Sequence, residues 1–221
     1  MAVMNHSTST RHRSTRRGLT NRAVRKRETH QRILQSAGRI ARREGLRAAS
    51  VPRVMRGAGL TVGGFYAHFP SKTAMDAELV RAMLGELPGR WLRGLDDLSG
   101  LEWIDRAVAR YLSLAHRDNL DGCAYPAVLS EVSNAAPNVR EAFAEALELR
   151  VRAFSTHAPA LAGMTPRARA IATIATTIGG LLLARSTRGA PVSEEVLTAC
   201  QSLLLPEYHA VPTTRSRKAR A

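Results

Sequence analysis

Apolar residues recur every three or four positions along most of this 221-residue chain, and alternating β-branched runs are sparse. A period near 3.6 gives one apolar stripe per helix, whereas a half-buried strand needs a period of two. The pattern predicts an all-α protein, and Gly and Pro mark its breaks. A first helix spans residues 24–44, with Ile33, Leu34, Ala37, Ile40 and Ala41 on one face and Gly45 as its stop. Ser50 caps a short helix over 51–57, with Pro52 in the first turn, where its missing N–H matters least. Ala58, Gly59 and Leu60 make a tight connection. Thr61 caps a third helix over 62–68, Pro70 ends it, and Ser71 caps a fourth over 71–87. Later helices are predicted over 101–116, 123–132, 137–156, 166–185 and 193–205. Thr165-Pro166 is a cap-then-Pro start and Pro206 a stop.

Charge is spread unevenly over this scaffold. Of the formal net charge of +15, residues 1–80 carry +12, residues 81–209 carry −1 and residues 210–221 carry +4. Such asymmetry suggests a polyanion-binding module joined to a neutral body. Thirty of the 33 basic residues are Arg, which suits bidentate contact with phosphate and guanine. A genome biased towards Arg codons explains that preference equally well, but not the asymmetry. Residues 1–23 and 210–221 are polar and basic and read as flexible arms. Two cysteines, Cys123 and Cys200, exclude a disulfide framework and a Cys-rich zinc module. The apolar run over 170–184 is shorter than the ~20 residues of a membrane span. The N-terminus lacks an apolar signal core. A cytoplasmic protein without a membrane partner is expected.

Two short helices joined by a Gly-containing turn make a helix-turn-helix, here over 51–57 and 62–68. A recognition helix must bring its first residues to base edges while its neighbours hold phosphates. Thr61, Val62, Gly63 and Gly64 are small enough for close approach, although the glycines cost helix propensity. Tyr66 and His68 supply hydrogen-bond donors for phosphate. Lys72 lies in the first turn of the fourth helix, where free N–H groups favour an anion.

Residues 30–79 closely resemble the N-terminal domain of TetR-family transcriptional repressors. The shared positions are Arg32-Ile33-Leu34, Gly45, Ser50-Val51, Ala58-Gly59, Thr61, Gly63, Phe65-Tyr66, His68-Phe69 and Ser71-Lys72. The chain departs from the family at Ile40-Ala41, where an aromatic core filler is usual, at Val54-Met55, and at Ala74, where a Glu would complete a capping box. These departures concern packing rather than DNA contact. The resemblance implies that Thr61, Val62, Gly63 and Gly64 begin the recognition helix. It also implies that Tyr66, His68 and Lys72 hold phosphates, that Ser50 and Arg53 lie against the DNA backbone, and that residues 25–32, including Arg25 and Arg32, lead the first helix towards DNA. Arg53 and Arg56 are equally well read as solvated charges, and Phe65 and Phe69 as core. The domains expected are a basic arm over 1–23, the helix-turn-helix domain over 24–70, a helical effector-binding and dimerisation body over 71–209 entered through a connecting helix over 71–87, and a basic tail over 210–221.

TetR-like proteins are all-helical homodimers, which implies that the body pairs two copies and holds a small effector. Helix 166–185 is apolar almost all round, so it should be buried on several sides. Ile171, Ile174, Ile178 and Leu182, with Val196, Leu197, Cys200, Leu203 and Leu204 of the last helix, are the dimer candidates. Intramolecular core is the alternative for each. Trp91, Trp103, Tyr111, His116, Cys123, Tyr125, Phe143 and Phe154 are pocket candidates, with core again the alternative. Gly122-Cys123, the following helix and Glu131 resemble a family subset in which this segment lines the pocket. Cys123, near a helix start, is also a candidate oxidation- or electrophile-sensing thiol. The seven His residues show no metal-ligand spacing. There is no Gly-rich phosphate loop, nucleophile elbow or carboxylate–His set, so no enzyme, metal or cofactor is expected. The expected function is a homodimeric repressor on a palindromic double-stranded DNA operator, released by a small-molecule effector. A constitutive architectural DNA-binding protein and a Cys123 thiol sensor are the alternatives.

Overall fold

The computed structural model describes residues 9–85, 92–119, 123–157 and 163–205. Every regular element among them is helical. α1 spans Ser9–Glu44 and α2 spans Val51–Gly57. A 3₁₀ helix follows at Val62–Ala67, then α3 (Lys72–Leu84), α4 (Gly100–Tyr111), α5 (Leu114–Asp118), α6 (Tyr125–Val132), α7 (Pro137–His157), α8 (Pro166–Ser186) and α9 (Val192–Leu204).

Three features differ from expectation. α1 begins at Ser9, not near residue 24, so much of the stretch read as a flexible arm continues the helix. Once a helix is nucleated, each further residue adds a hydrogen bond, and Arg is a good helix former. The recognition helix is 3₁₀ rather than α, which suits a six-residue segment with Gly63 and Gly64 in it. The helix expected over 101–116 breaks in two. Ser113 Oγ donates to the Arg110 carbonyl at 2.8 Å and accepts the His116 N–H at 3.1 Å, closing one helix and capping the next.

The caps read from sequence divide similarly. Ser71 Oγ accepts the Ala74 N–H at 3.0 Å, and Thr165 Oγ1 accepts the Ala168 N–H at 3.2 Å. Ser50 and Thr61 occupy cap positions in extended backbone, but their side chains make no capping bond. α3 ends at Leu84, and residues 86–91, with the expected end of the connecting helix and Trp91, lie outside the described residues. So do residues 1–8 of the arm and the tail over 210–221.

One continuous apolar core runs from reader to body. Ile33, Ala37, Ala41, Val54, Met55, Phe65, Phe69, Met75 and Leu79 are buried at the reader end. His30 stacks on Phe69 at 4.4 Å, and Phe65 on Phe69 at 5.4 Å. α3 packs along α7, and α8 lies between α7 and α9. With its flanking turns, the 21-residue α8 reaches the length and apolar composition of a membrane span, which the run over 170–184 alone does not. Half of it is buried inside the fold.

Candidate nucleic-acid interface

The α2–turn–3₁₀ unit is fastened to α1 by one stripe of side chains. Arg32, Ser36 and Arg39 recur at four- and three-residue spacing, so they share a face of α1. Ser36 Oγ donates to the Val54 carbonyl at 2.9 Å, Arg39 to the Gly57 carbonyl at 3.3 Å, and Arg32 to the Ala58 carbonyl. The last carbonyls of a helix lack internal partners and carry the negative end of its dipole, so two guanidiniums are suited to that end. Gly57 permits the approach, because a Cβ there would collide with Ser36 Oγ.

Clamped in this way, the reading segment faces outward. Phe65 is fully buried and fixes the underside of the 3₁₀ helix. Thr61, Val62 and Gly63 are exposed, and Tyr66, 69% exposed, stands edge-on to Phe65 at 5.3 Å. Neither Gly63 nor Gly64 has a positive φ. Among the described residues, a Cβ on Gly63 would meet nothing within 4 Å, and one on Gly64 would touch only Met55 Cε at 3.7 Å. The fold itself therefore does not require either glycine. Gly63 is exposed, whereas Gly64 is half-buried and a Cβ there would point towards the buried Met55.

The candidate phosphate-binding residues separate into two groups. Tyr66 and Arg25 are exposed. Arg32, Arg53 and Lys72 already have intramolecular partners. Arg32 holds the Ala58 carbonyl as above. Arg53 forms a two-pronged pair with Glu44 at 2.9 and 2.7 Å, which draws the Glu44 carboxyl below its usual range through the hydrogen bond. Lys72 Nζ donates to both Asp76 oxygens, at 2.7 and 2.6 Å, and to the Leu46 carbonyl at 3.3 Å. Ser50 is half-buried beside α2. His68 is half-buried, and its Nδ1 has no hydrogen-bond partner among the described residues. Burial first, then the nearby His30 and Lys26 charges, holds its pKa below the ordinary value, which favours the neutral ring. His30 pairs with Glu78 across α1 and α3, and a groove of about 750 Å³ opens beside that pair.

In the body, the pocket candidates pack on one another. Tyr111 Oη lies 3.0 Å from Cys123 Sγ, and Arg150 Nε donates to Tyr125 Oη at 3.1 Å. Phe143 meets the Tyr125 ring at 6.1 Å. Trp103 is edge-on to Phe154 at 5.0 Å and stacked on His157 at 4.2 Å. His116 packs against Tyr111, and its Nδ1 lies 2.7 Å from the Tyr111 carbonyl. Glu131 points away from this cluster, towards the turn after α1. The buried Arg150 was not singled out from sequence, although it falls at four-residue spacing between the buried Ala146 and Phe154 on α7.

The dimer candidates also divide. Ile174, Ile178 and Leu197 are buried within the protomer, which fits the core alternative for these three. Ile171 and Leu182 are exposed at 46% and 38%, while Val196, Cys200 and Leu204 are half-buried. Leu203 is exposed at 68%, and so, at 57%, is Leu183, which the sequence did not single out. A helix that is apolar all round carries no period that separates its inner from its outer face.

Comparison with known proteins agrees with this geometry. Residues 33–79 match the family model described as bacterial regulatory proteins, tetR family. Among solved structures, the reduced form of E. coli NemR superposes with a TM-score of 0.65 at 19% identity, covering 80% of this chain and 95% of that one. A TetR-family regulator from Agrobacterium tumefaciens gives 0.64 at 19% identity, covering 82% and 98%. A transcriptional regulator from Rhodococcus sp. Rha1 gives 0.60 at 21% identity, covering 80% and 96%. No curated protein matches in sequence. The helix-turn-helix over residues 33–79 thus matches the tetR family of bacterial regulatory proteins, and the described helices as a whole share their fold with solved regulators, one of them of that family.

Proposed function

We propose that the chain is a homodimeric transcriptional repressor that binds a two-fold DNA site and leaves it when a small effector occupies the body. One observation carries the DNA-reading part: an exposed, small-residue segment, Thr61 to Tyr66, is presented on a buried Phe65 anchor where no described intramolecular contact requires glycine. Two such segments one DNA turn apart, about 34–36 Å, would read a palindrome. The exposed apolar residues Ile171, Leu182, Leu183 and Leu203 on α8 and α9 supply a self-complementary face for pairing.

α3 supports the release step. Its first turn is tied to the reader through Lys72 and Leu46, and its far end is buried in the body at Val80 and Leu84. Along its length, Arg81 pairs with Glu145 of α7 at 2.6 Å, and Asn138 donates to the Thr73 carbonyl at 3.1 Å. An effector that binds better to a body with a shifted α3 lowers DNA affinity, and operator DNA lowers effector affinity by the same factor. Enrichment of random duplexes by the full chain tests the reading. The expected product is a palindrome protected on both half-sites. Sequence-independent retention of the whole pool would instead identify an architectural DNA-binding protein.

A second reading, thiol sensing, is favoured by the Tyr111 Oη–Cys123 Sγ contact. The structurally similar NemR was described in its reduced form. Under this reading peroxide or quinone releases DNA from the native chain and not from Cys123→Ser. Release from both excludes the thiol.

A further inference from the structure

In the turn between α1 and α2, one peptide group is bonded from two other elements, α3 and α6. The Leu46 carbonyl accepts from Lys72 Nζ of α3 at 3.3 Å. The N–H of the same peptide, on Arg47, donates to Glu131 Oε2 of α6 at 2.7 Å. Glu131 lies 84 residues away in sequence, so this bond joins body to reader. The carboxylate sits deep against the turn. A Cβ on Gly45 would overlap Glu131 Oε1 and approach the Ala127 carbonyl at 3.5 Å. Gly45 also has φ +90°, so the backbone conformation favours glycine there, and a Cβ would in addition displace the Glu131 carboxylate.

Dipole electrostatics do not favour this placement. A carboxylate at a helix C-terminus faces partial negative charge, and α1 ends beside Glu131. The directional N–H bond locates the carboxylate there. We propose that Glu131 is a positioning residue for DNA recognition: by clamping the Leu46–Arg47 peptide from the body side, it sets the angle at which each reader leaves the dimer. α6 is then a second mechanical link beside α3. Its first residue, Tyr125, is bonded to the buried Arg150, and its last turn carries Glu131. This inference rests on the two-fold DNA reading proposed above.

The test uses the full-length chain and the palindrome it enriches from random duplexes, with half-site spacing changed by −1, 0 and +1 base pair. The native chain should discriminate sharply between spacings. Glu131→Ala should lose at least tenfold of that discrimination while its single half-site affinity and melting temperature stay near native. Glu131→Gln keeps an amide oxygen for the Arg47 N–H and should restore most of it. Glu131→Asp keeps the charge but shortens the reach, so it should behave like the alanine variant, and it takes over the test if Glu131→Ala does not fold. Unchanged spacing discrimination in a folded Ala or Asp variant, with faster exchange of the Arg47 amide proving the bond lost, overturns the inference alone. Failure of the native chain to enrich any two-fold site overturns the proposed function, and this inference with it.

Discussion

At Gly63 the missing side chain has a use only outside the protomer. A Cβ would find open space, and the backbone does not need glycine's conformational freedom. Gly63→Ala should therefore leave the fold intact and stabilise it by up to about 1 kcal/mol, through propensity and a less mobile unfolded chain. The same change should weaken binding to the enriched duplex by about tenfold or more, because the added methyl group stands where base edges would approach. Melting curves and titration of labelled duplex read the two effects separately. Equal affinity for both proteins would remove Gly63 from the interface. The residue scale also shows why basic character alone is a poor guide to contact. Arg25 and Arg32 are the same amino acid seven positions apart on one helix, yet Arg25 is exposed and Arg32 holds the Ala58 carbonyl. Which guanidinium faces α2 depends on how two helices dock.

Among the elements, α1 is the unexpected one. At 36 residues and about 1.5 Å per residue it is about 54 Å long, and it projects well beyond the helix-turn-helix it supports. Residues 1–22 contain Arg11, Arg13, Arg16, Arg17 and Arg22. Deleting them should flatten the dependence of log affinity on log salt by about 0.9 for each arginine that meets a phosphate, and by on the order of 4 in total if nearly all do. An unchanged slope would mean that the extension does not touch DNA. Between α7 and α8, Arg167 holds Glu148 at 2.9 and 2.8 Å. These hydrogen bonds, then those of Arg152, lower the Glu148 pKa from 4.5 to about 2. A lowered carboxylate pKa adds stability above the unfolded value and loses it as pH falls towards the folded one. Arg167→Ala should therefore show a shallower loss of melting temperature than the native chain between pH 4.5 and about 2. Parallel curves would show that the pair is uncoupled from folding.

The whole molecule leaves an apolar outer face on α8 and α9. Leu203→Arg, at a site 68% exposed, should fold normally yet sediment as a monomer and lose the palindrome. Ile174→Arg, at a site 4% exposed, should not fold, because it buries an unpaired charge. A dimeric Leu203→Arg protein would move the interface elsewhere. The contrast also marks how far the sequence was legible. Caps and breakers act through neighbouring residues, so Ser71, Thr165, Gly45 and the Pro-marked ends of α7 and α8 were readable, and so was the short helix that begins after Thr61. The break at Ser113 was not readable, since the apolar period continues through it.

Local chemistry in the chain determined the helical class, many of the helix starts and stops, the charge asymmetry and the two short helices of the helix-turn-helix. These follow from backbone hydrogen bonding, side-chain period and steric size over a few residues. Tertiary structure alone decided which arginines are committed to carbonyls and carboxylates, which face of α8 is core, and that the Leu46–Arg47 peptide is held between Lys72 and Glu131. Each of these depends on contacts between residues far apart in the chain. Their partners are set by how helices pack, and a one-dimensional pattern carries no record of that packing.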